Sequence, residues 1–211
     1  MEIIEDLKRC GRVLDEKGLV WGHSGNISVR IEQNAFVISA SGANLGTLSD
    51  NDLITCHLHD PYTHGAKEPS IERGLHQAIY QAQEYAAAVI HSQPFYATLV
   101  ACSNMAVKTD LFPEAMAYLD KVDRVPYYHA GSNELAHATA GKASVSHVLL
   151  LDNHGAVCWG SDIEEALLRT QTLEFLCRLL VLSHASSIPL NHLGEEAMTG
   201  FLDHLRTIGA V

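Results

Sequence analysis

No stretch of this 211-residue chain approaches the roughly 18 consecutive apolar residues that a membrane-spanning helix needs. The most apolar segment, Phe175 to Leu182, carries Arg178 in its middle. Positive charge is scarce as well: 14 Lys and Arg stand against 25 Asp and Glu, a net charge of −11. That balance counts against nucleic acid as a partner, because phosphate backbones are bound by clustered Lys and Arg. The first residues, Met-Glu-Ile-Ile-Glu-Asp, are acidic where a secretory leader is basic. The five cysteines are odd in number, widely spaced and contain no CxxC, which suits reduced thiols in a cytoplasmic protein. Glycine-rich phosphate fingerprints, internal repeats and long linkers are missing too. Charged residues are only 18% of the chain and hydrophobic residues 47%, so the charge-driven route to disorder is closed.

What is abundant is histidine, 13 residues, almost as many as Lys and Arg together. A chain of this length buries roughly 70% of its unfolded surface and needs no metal or disulfide merely to hold a core. One domain, residues 1–211, is the expectation. Helical spacing of Ile3, Ile4, Leu7, Val13 and Leu14 predicts a helix over 2–17 that stops at Gly18. Strands are predicted at 27–31, 35–40 and 53–59, the first two joined by a Gln33-Asn34 turn. A helix over 72–82, a short buried strand over 88–91 and a proline-started helix over 94–102 follow. Further on come a helix over 132–141, a strand pair at 148–152 and 155–159, a long helix over 162–184 and a last one over 195–206. Ser161 and Glu164 are expected to box the long helix. Helices and strands interleave without a regular βαβ rhythm, so helices layered on a mainly antiparallel sheet fit best, an α/β class.

Several segments carry residues suited to chemistry. His91-Ser92-Gln93 ends the strand over 88–91, and residues two apart on a strand face the same way, so the pair can offer two donors to one ion. The commoner fate of a buried histidine is a hydrogen bond to a backbone carbonyl. His57-Leu58-His59, with His64 nearby, has the same geometry, but Asp60-Pro61-Tyr62-Thr63 directly after it reads as an exposed turn. Spacing alone does not choose between the two. Asn153-His154-Gly155 breaks the second strand pair and either aims a side chain at a site or is an ordinary hairpin. Glu72 opens a helix, where a carboxylate usually serves the helix dipole; as a general acid/base it needs a neighbour that sets its pKa. His76, one turn on, reads as a packed helix histidine. The turns Gly25-Asn26 and Ser41-Gly42 can present N–H groups to an anion.

Taken in order, Gly25-Asn26-Ile27-Ser28, Ile38-Ser39-Ala40-Ser41-Gly42, Pro69-Ser70-Ile71-Glu72 with Leu75-His76, Val89-Ile90-His91-Ser92-Gln93 and Asn153-His154-Gly155 before a long helix form one pattern. It resembles the class II aldolase/adducin family, which includes fuculose-phosphate aldolase-like lyases, from about Leu7 to His184. The resemblance implies a three-layer α/β/α sandwich around a mainly antiparallel sheet, assembled as a homotetramer with sites at subunit interfaces. It places metal ligands on His91, Gln93 and His154, the acid/base on Glu72, and substrate or phosphate contacts on Gly25, Asn26, Ser41, Gly42 and Ser70. It gives His57 and His59 no metal role. The implied cofactor is a divalent metal, zinc first, with manganese an option because Gln93 replaces the second histidine of the family's HxH by a harder amide donor. Ile71 stands where the family carries a second serine, removing a hydroxyl from the anion turn. The family's proton-donating tyrosine falls near Phe112, with Tyr118 the only phenol in the stretch 111–121. Related epimerases carry aspartate at the Glu72 position, so the glutamate points to bond cleavage.

The implied function is a metal-dependent carbon–carbon lyase that cleaves a small sugar phosphate or related hydroxyketone by the retro-aldol route. Two alternatives accompany it. One is a metal-dependent decarboxylase of a β-keto or aromatic acid, favoured by the lost serine and by phenylalanine at the place of the family's tyrosine. The other is a non-catalytic adducin-like assembly domain, favoured by Gln93. The partner expected is a small anionic substrate, with no nucleic acid and no membrane.

Overall fold

The computed structural model describes residues 2–60, 63–119 and 121–209; Pro61 and Tyr62 of the turn expected after His59 lie outside them. The chain opens with helix α1 (Glu2–Glu16), whose Leu7, Cys10 and Leu14 are buried along one side. Its end is a Schellman motif. Gly18, at φ +65, donates to Asp15 O, and Leu19 donates back to Leu14 O, so the last carbonyls are satisfied at the predicted stop.

Next come β1 (Asn26–Glu32) and β2 (Ala35–Ser39), which pair across the Gln33-Asn34 turn, and then β3 (Leu53–His57) and the two-residue β4 (Thr63–His64). Helix α2 (Arg73–Ala82), strand β5 (Ala88–Ser92) and helix α3 (Phe95–Ala101) precede a π-helical turn at Ala115–Leu119. Strand β6 (Val122–Val125), helix α4 (Asn133–Ala143), strands β7 (Val148–Leu151) and β8 (Gly155–Gly160), and helices α5 (Ile163–Ser186) and α6 (Glu195–Thr207) complete the chain.

The strands form one sheet in the order β4-β3-β2-β1-β5-β8-β7-β6. Among the described residues every neighbouring pair is antiparallel except β6 with β7. Strand β6 escaped the sequence reading because Asp123 and Arg124 interrupt its apolar pattern, and because it joins the edge by a parallel pairing with residues far along the chain.

Side-chain parity divides this sheet between two helical layers. Val148, Leu150, Ala156 and Cys158 pack with Ala97 and Val100 of α3 and with Leu173, Leu176 and Cys177 of α5. Ile90 lies across from Cys158 and so shares that face. The residues between them, Val89, Leu149, Leu151, Val157 and Trp159, belong to the larger cluster that includes Leu75 and Ile79 of α2 and Leu135 and Ala143 of α4. Helices α2 and α4 therefore cover the opposite face from α3 and α5. The result is the α/β/α sandwich with a mainly antiparallel sheet.

The start of α5 differs from expectation by one residue. Asp162 is its N-cap, accepting the Glu165 N–H at 2.7 Å, and Glu165 reaches back to the Ser161 N–H and hydroxyl at 2.7 and 2.9 Å. Glu164 instead points outward to Arg9 at 2.9 Å. Asp wins the cap because its short carboxylate accepts a first-turn N–H at least as well as a serine does. No helix among the described residues is long and apolar enough to cross a membrane.

Candidate metal centre

Three elements meet over the α2/α4 face of the sheet. Asn26 of β1 lies directly across from His91 of β5 in the antiparallel register, so their side chains leave the same face. His91 lies across from Val157 of β8 on its other side. The turn between β7 and β8 brings His154 to the same end of the sheet.

Two glycines make this closeness possible. Gly25, at φ +78, lies so near the His91 carbonyl that a Cβ there would sit 2.7 Å from the oxygen. Gly155, at φ +149, would put a Cβ 2.6 Å from the Ser92 carbonyl. Any side chain at either position would push the His154 turn or the β1 entrance away from β5.

Glu72 occupies the N-cap position of α2, yet its carboxylate makes no capping bond. The helix start is served instead by Ser70, whose hydroxyl accepts the Glu72 N–H at 3.2 Å. The buried carboxylate turns toward the imidazoles: Oε2 lies 3.1 Å from His91 Nε2 and Oε1 lies 3.2 Å from His154 Nε2. The two rings stand edge to face, centroids 4.8 Å apart. Their ligand atoms and a Glu72 oxygen all lie within 4.8 Å of one another, the one cluster of its kind among the described residues.

The chemistry of this donor set fits a metal ion. His91 Nδ1 donates to the Ala156 carbonyl at 2.9 Å, which fixes the tautomer and leaves the Nε2 lone pair facing the centre, the usual arrangement of a ligating histidine. Glu72 Oε1 is buried, and its one near neighbour is His154 Nε2 at 3.2 Å, an ion-pair distance rather than a counted hydrogen bond. A buried carboxylate oxygen left without a donor is costly unless a cation completes it. The carbonyl-satisfied strand histidine and the candidate ligand are here the same residue, one nitrogen bonded to Ala156 and the other turned toward Glu72.

Electrostatics agree. Burial alone would raise the Glu72 pKa, but the His91 and His154 imidazoles beside it hold it well below the usual carboxylate range. Burial likewise disfavours the charged form of His91, and the Glu72 carboxylate outweighs it, so the His91 pKa is raised.

The remaining expected site residues distribute as follows. Gln93 follows β5 directly, half-buried, its Cγ against the place where a Cβ of Gly155 would be, next to His154. An Ala40–Pro69 bridge, with Ser41 N–H donating to Glu68 O and Ser70 N–H to Ser39 O, brings the Ser41-Gly42 turn beside Ser70. Gly42, at φ +70, is the third residue of the turn closed by Ala43 N–H to Ala40 O. Ile71 projects from this rim, 67% exposed. Asn26 is only 5% exposed and gives its amide to protein partners: Nδ2 donates to Glu72 Oε2 at 2.9 Å and Oδ1 meets His76 Nε2 at 2.5 Å.

Two expectations land elsewhere. Phe112 meets Phe175 of α5 edge to face, centroids 5.4 Å apart, and packs in the α3/α5 cluster on the far face of the sheet. Tyr118 gives its carbonyl to Arg169 of α5. Neither phenyl nor phenol of this stretch joins Glu72, because the π turn holds the segment against α5. His57 pairs edge to face with His64, centroids 6.1 Å apart, outside any three-donor cluster among the described residues.

The reading of isolated motifs overlooked a buried chain behind Glu72, formed by Asn26, His76, Ser28 and Tyr80. Its signal was present: Glu72, His76 and Tyr80 recur every four residues on α2, and Asn26 and Ser28 alternate on the facing strand.

Glu72, His91 and His154 form a cluster that could hold a metal ion, and comparison with known proteins gives the class of the chain. The family model "Class II Aldolase and Adducin N-terminal domain" matches residues 5–181. The chain belongs to this class II aldolase and adducin family. It is 33% identical over 177 residues to the L-fuculose phosphate aldolase of Methanocaldococcus jannaschii, covering 84% of this chain and 94% of that one. It is 31% identical over 179 residues to the 3-oxo-tetronate 4-phosphate decarboxylase of Haemophilus influenzae, covering 83% and 85% respectively. The crystal structure of L-fuculose-1-phosphate aldolase from Thermus thermophilus superposes with a TM-score of 0.80 at 25% identity, over 90% of this chain and 98% of that one.

Proposed function

We propose that the protein is a metal-dependent carbon–carbon lyase that cleaves a small phosphorylated hydroxyketone by the retro-aldol route, residues 1–211 acting as one domain. The observation that carries this reading is the convergence of Glu72, His91 and His154, with one carboxylate oxygen buried and undonated. Relatives named as aldolases and decarboxylases, both lyases, support it. His91, His154 and Gln93 would hold a divalent ion, with zinc the first candidate and manganese the second, given the amide. When bound, the ion supplies Lewis-acid polarisation of a substrate carbonyl and of the charge that develops as the bond breaks.

The chain's own residues do the rest. Glu72, ionised and held between the imidazoles, accepts the substrate hydroxyl proton whose loss drives cleavage and returns it to the product carbon. The Gly25, Ser41-Gly42 and Ser70 turns, gathered at one rim, orient the phosphate so that the scissile bond lies over the glutamate. Burial of Glu72 and His91 keeps water from competing for the proton. A homotetramer, with neighbouring copies completing each site, belongs to the same reading.

The test is direct. Protein loaded with zinc, and separately with manganese, is incubated with L-fuculose 1-phosphate and with 3-oxo-tetronate 4-phosphate, monitoring aldehyde release and carbon dioxide release. Aldehyde formation supports the aldolase. Carbon dioxide from the keto acid alone moves the function to decarboxylation, the second reading, which Ile71 favours because it replaces a hydroxyl at the anion rim with an exposed apolar side chain. Silence in both assays, with metal absent from purified protein, leaves the adducin-like assembly domain.

A further inference from the structure

We infer that His76 is a positioning residue for Glu72, acting through the Asn26 amide as one link of a one-way hydrogen-bond chain that begins at Tyr80. The inference rests on the acid/base reading of Glu72. Neither the fold's packing nor the reaction as derived above needs an imidazole at this place.

The direction of the chain follows from its end. An ionised carboxylate only accepts, so Asn26 must offer Glu72 Oε2 its N–H, at 2.9 Å. The amide's oxygen then faces His76 Nε2 at 2.5 Å and must accept, which puts the imidazole proton on Nε2. His76 Nδ1 is therefore the acceptor, and the Ser28 hydroxyl, 2.7 Å away, must donate to it. With its one proton so committed, Ser28 Oγ accepts from the Tyr80 hydroxyl at 2.7 Å. Every N–H and O–H in the row thus points toward Glu72, an arrangement in which each bond polarises the next.

Each member is secured. His76 is fully buried, Ser28 likewise, Asn26 5% exposed and Tyr80 2%. The Arg30 guanidinium lies over the Tyr80 ring, 4.8 Å from its centroid, and Arg30 also donates to the Tyr80 carbonyl at 2.7 Å. Burial holds the Tyr80 hydroxyl protonated and His76 neutral, as the chain requires.

The device solves a problem particular to asparagine. The two ends of its side chain are nearly the same size, so packing alone cannot tell them apart. Reversed, the amide would set a carbonyl against the carboxylate and drive Glu72 off the imidazoles. His76, protonated on Nε2, accepts only the orientation that holds Oε2 and leaves Oε1 toward His154. The Asn26 side chain is thereby a holder of the base.

Two measurements test this. In the wild-type protein, a two-bond 1H–15N spectrum of the histidine rings reports the His76 tautomer without any substrate: Nε2–H is expected, and Nδ1–H overturns the inference. In the zinc-loaded enzyme with L-fuculose 1-phosphate, His76→Leu is expected to lower kcat about 100-fold with KM within about threefold, the scale of a misplaced catalytic group. His76→Gln, which can offer an amide N–H to Asn26 and an oxygen to Ser28, is expected to recover to within about tenfold of wild type. Equal impairment of the two variants would show a packing role only and defeat the inference. Should His76→Leu not fold, Tyr80→Phe, which removes the first donor, is expected to lower kcat a few fold and unchanged kcat defeats the inference. Glu72→Gln separates the readings. If it turns over like wild type, both fall; if it is inactive while His76→Leu is unimpaired, the positioning inference alone falls.

Discussion

The two faces of the sheet solve opposite problems with alternate residues of the same strands. On β5, Ile90 lies across from Cys158 and leaves the sheet on the same side as that cysteine, while His91 leaves the other face toward Glu72. On β1, Ile27 is buried in the core between Asn26 and Ser28, both of which serve the polar chain. One face is stabilised by apolar area. The other buries a carboxylate, two imidazoles, an amide and two hydroxyls, and remains stable only because nearly every one of those polar atoms has a partner, Glu72 Oε1 being the exception. The period of two that builds a strand lets a short element anchor the fold with one side and hold chemistry with the other. Changes on the first face should therefore alter stability without altering turnover per folded molecule, whereas changes on the second should alter turnover, with an effect on stability only where a buried polar group loses its partner.

The largest break in that comparison is expected from Glu72→Gln. It should reduce kcat by about 10²- to 10⁴-fold, the usual contribution of a general base, while circular dichroism and the melting temperature stay close to wild type. Next comes Leu173→Ala on α5, fully buried in the other cluster. A loss of about 2 to 5 kcal/mol in urea unfolding is expected, with kcat per folded molecule unchanged. A fall in kcat at constant stability would show that the two faces are coupled.

A third effect sharpens the comparison through pH. Burial, with the nearby His91 charge adding to it, lowers the His76 pKa to about 3. The unfolded chain binds that proton near pH 6.5, so between the two values it holds more protons than the folded protein, and stability rises with pH. The contribution is complete above pH 6.5 and is lost as pH falls toward 3. Metal-free protein should lose about 2 kcal/mol between about pH 7 and about pH 5 from this residue, at about 1.4 kcal/mol per unit below its unfolded pKa. His76→Gln should remove that part of the slope, and guanidinium titrations at the two pH values check it. The smallest effect belongs to Asp162→Ala at the α5 N-cap, about 1 kcal/mol, read by the same titrations with no change in kcat.

Much of the site was legible in the sequence because its parts sit at element ends, where local signals are strong. Glu72 at a helix start, His91 near a strand end and His154 in a short hairpin turn each stood out, and the order of motifs joined them. What stayed hidden was relational. His76 read as a packed helix histidine, and it is packed; that it faces an asparagine rather than a carbonyl depends on the register of α2 over β1, which no local pattern states. Strand β6 hid for a similar reason, since its pairing is parallel and distant and two charged residues break its alternation. The α5 cap slipped by one residue because Ser161 and Asp162 are both good caps and the backbone chose between them. Phe112 and Tyr118 lie away from Glu72 of the same chain because the π turn at Ala115–Leu119 holds the segment on the α5 side.

The central claim is that Glu72, His91 and His154 surround one divalent cation. Anomalous diffraction at the zinc edge, from crystals grown with zinc, tests it most directly. The account predicts one strong peak per chain bonded to His91 Nε2 and His154 Nε2 beside the Glu72 carboxylate, absent from a His91→Ala/His154→Ala double variant. A peak held by His57 and His59, or none at the three-residue cluster, would contradict it.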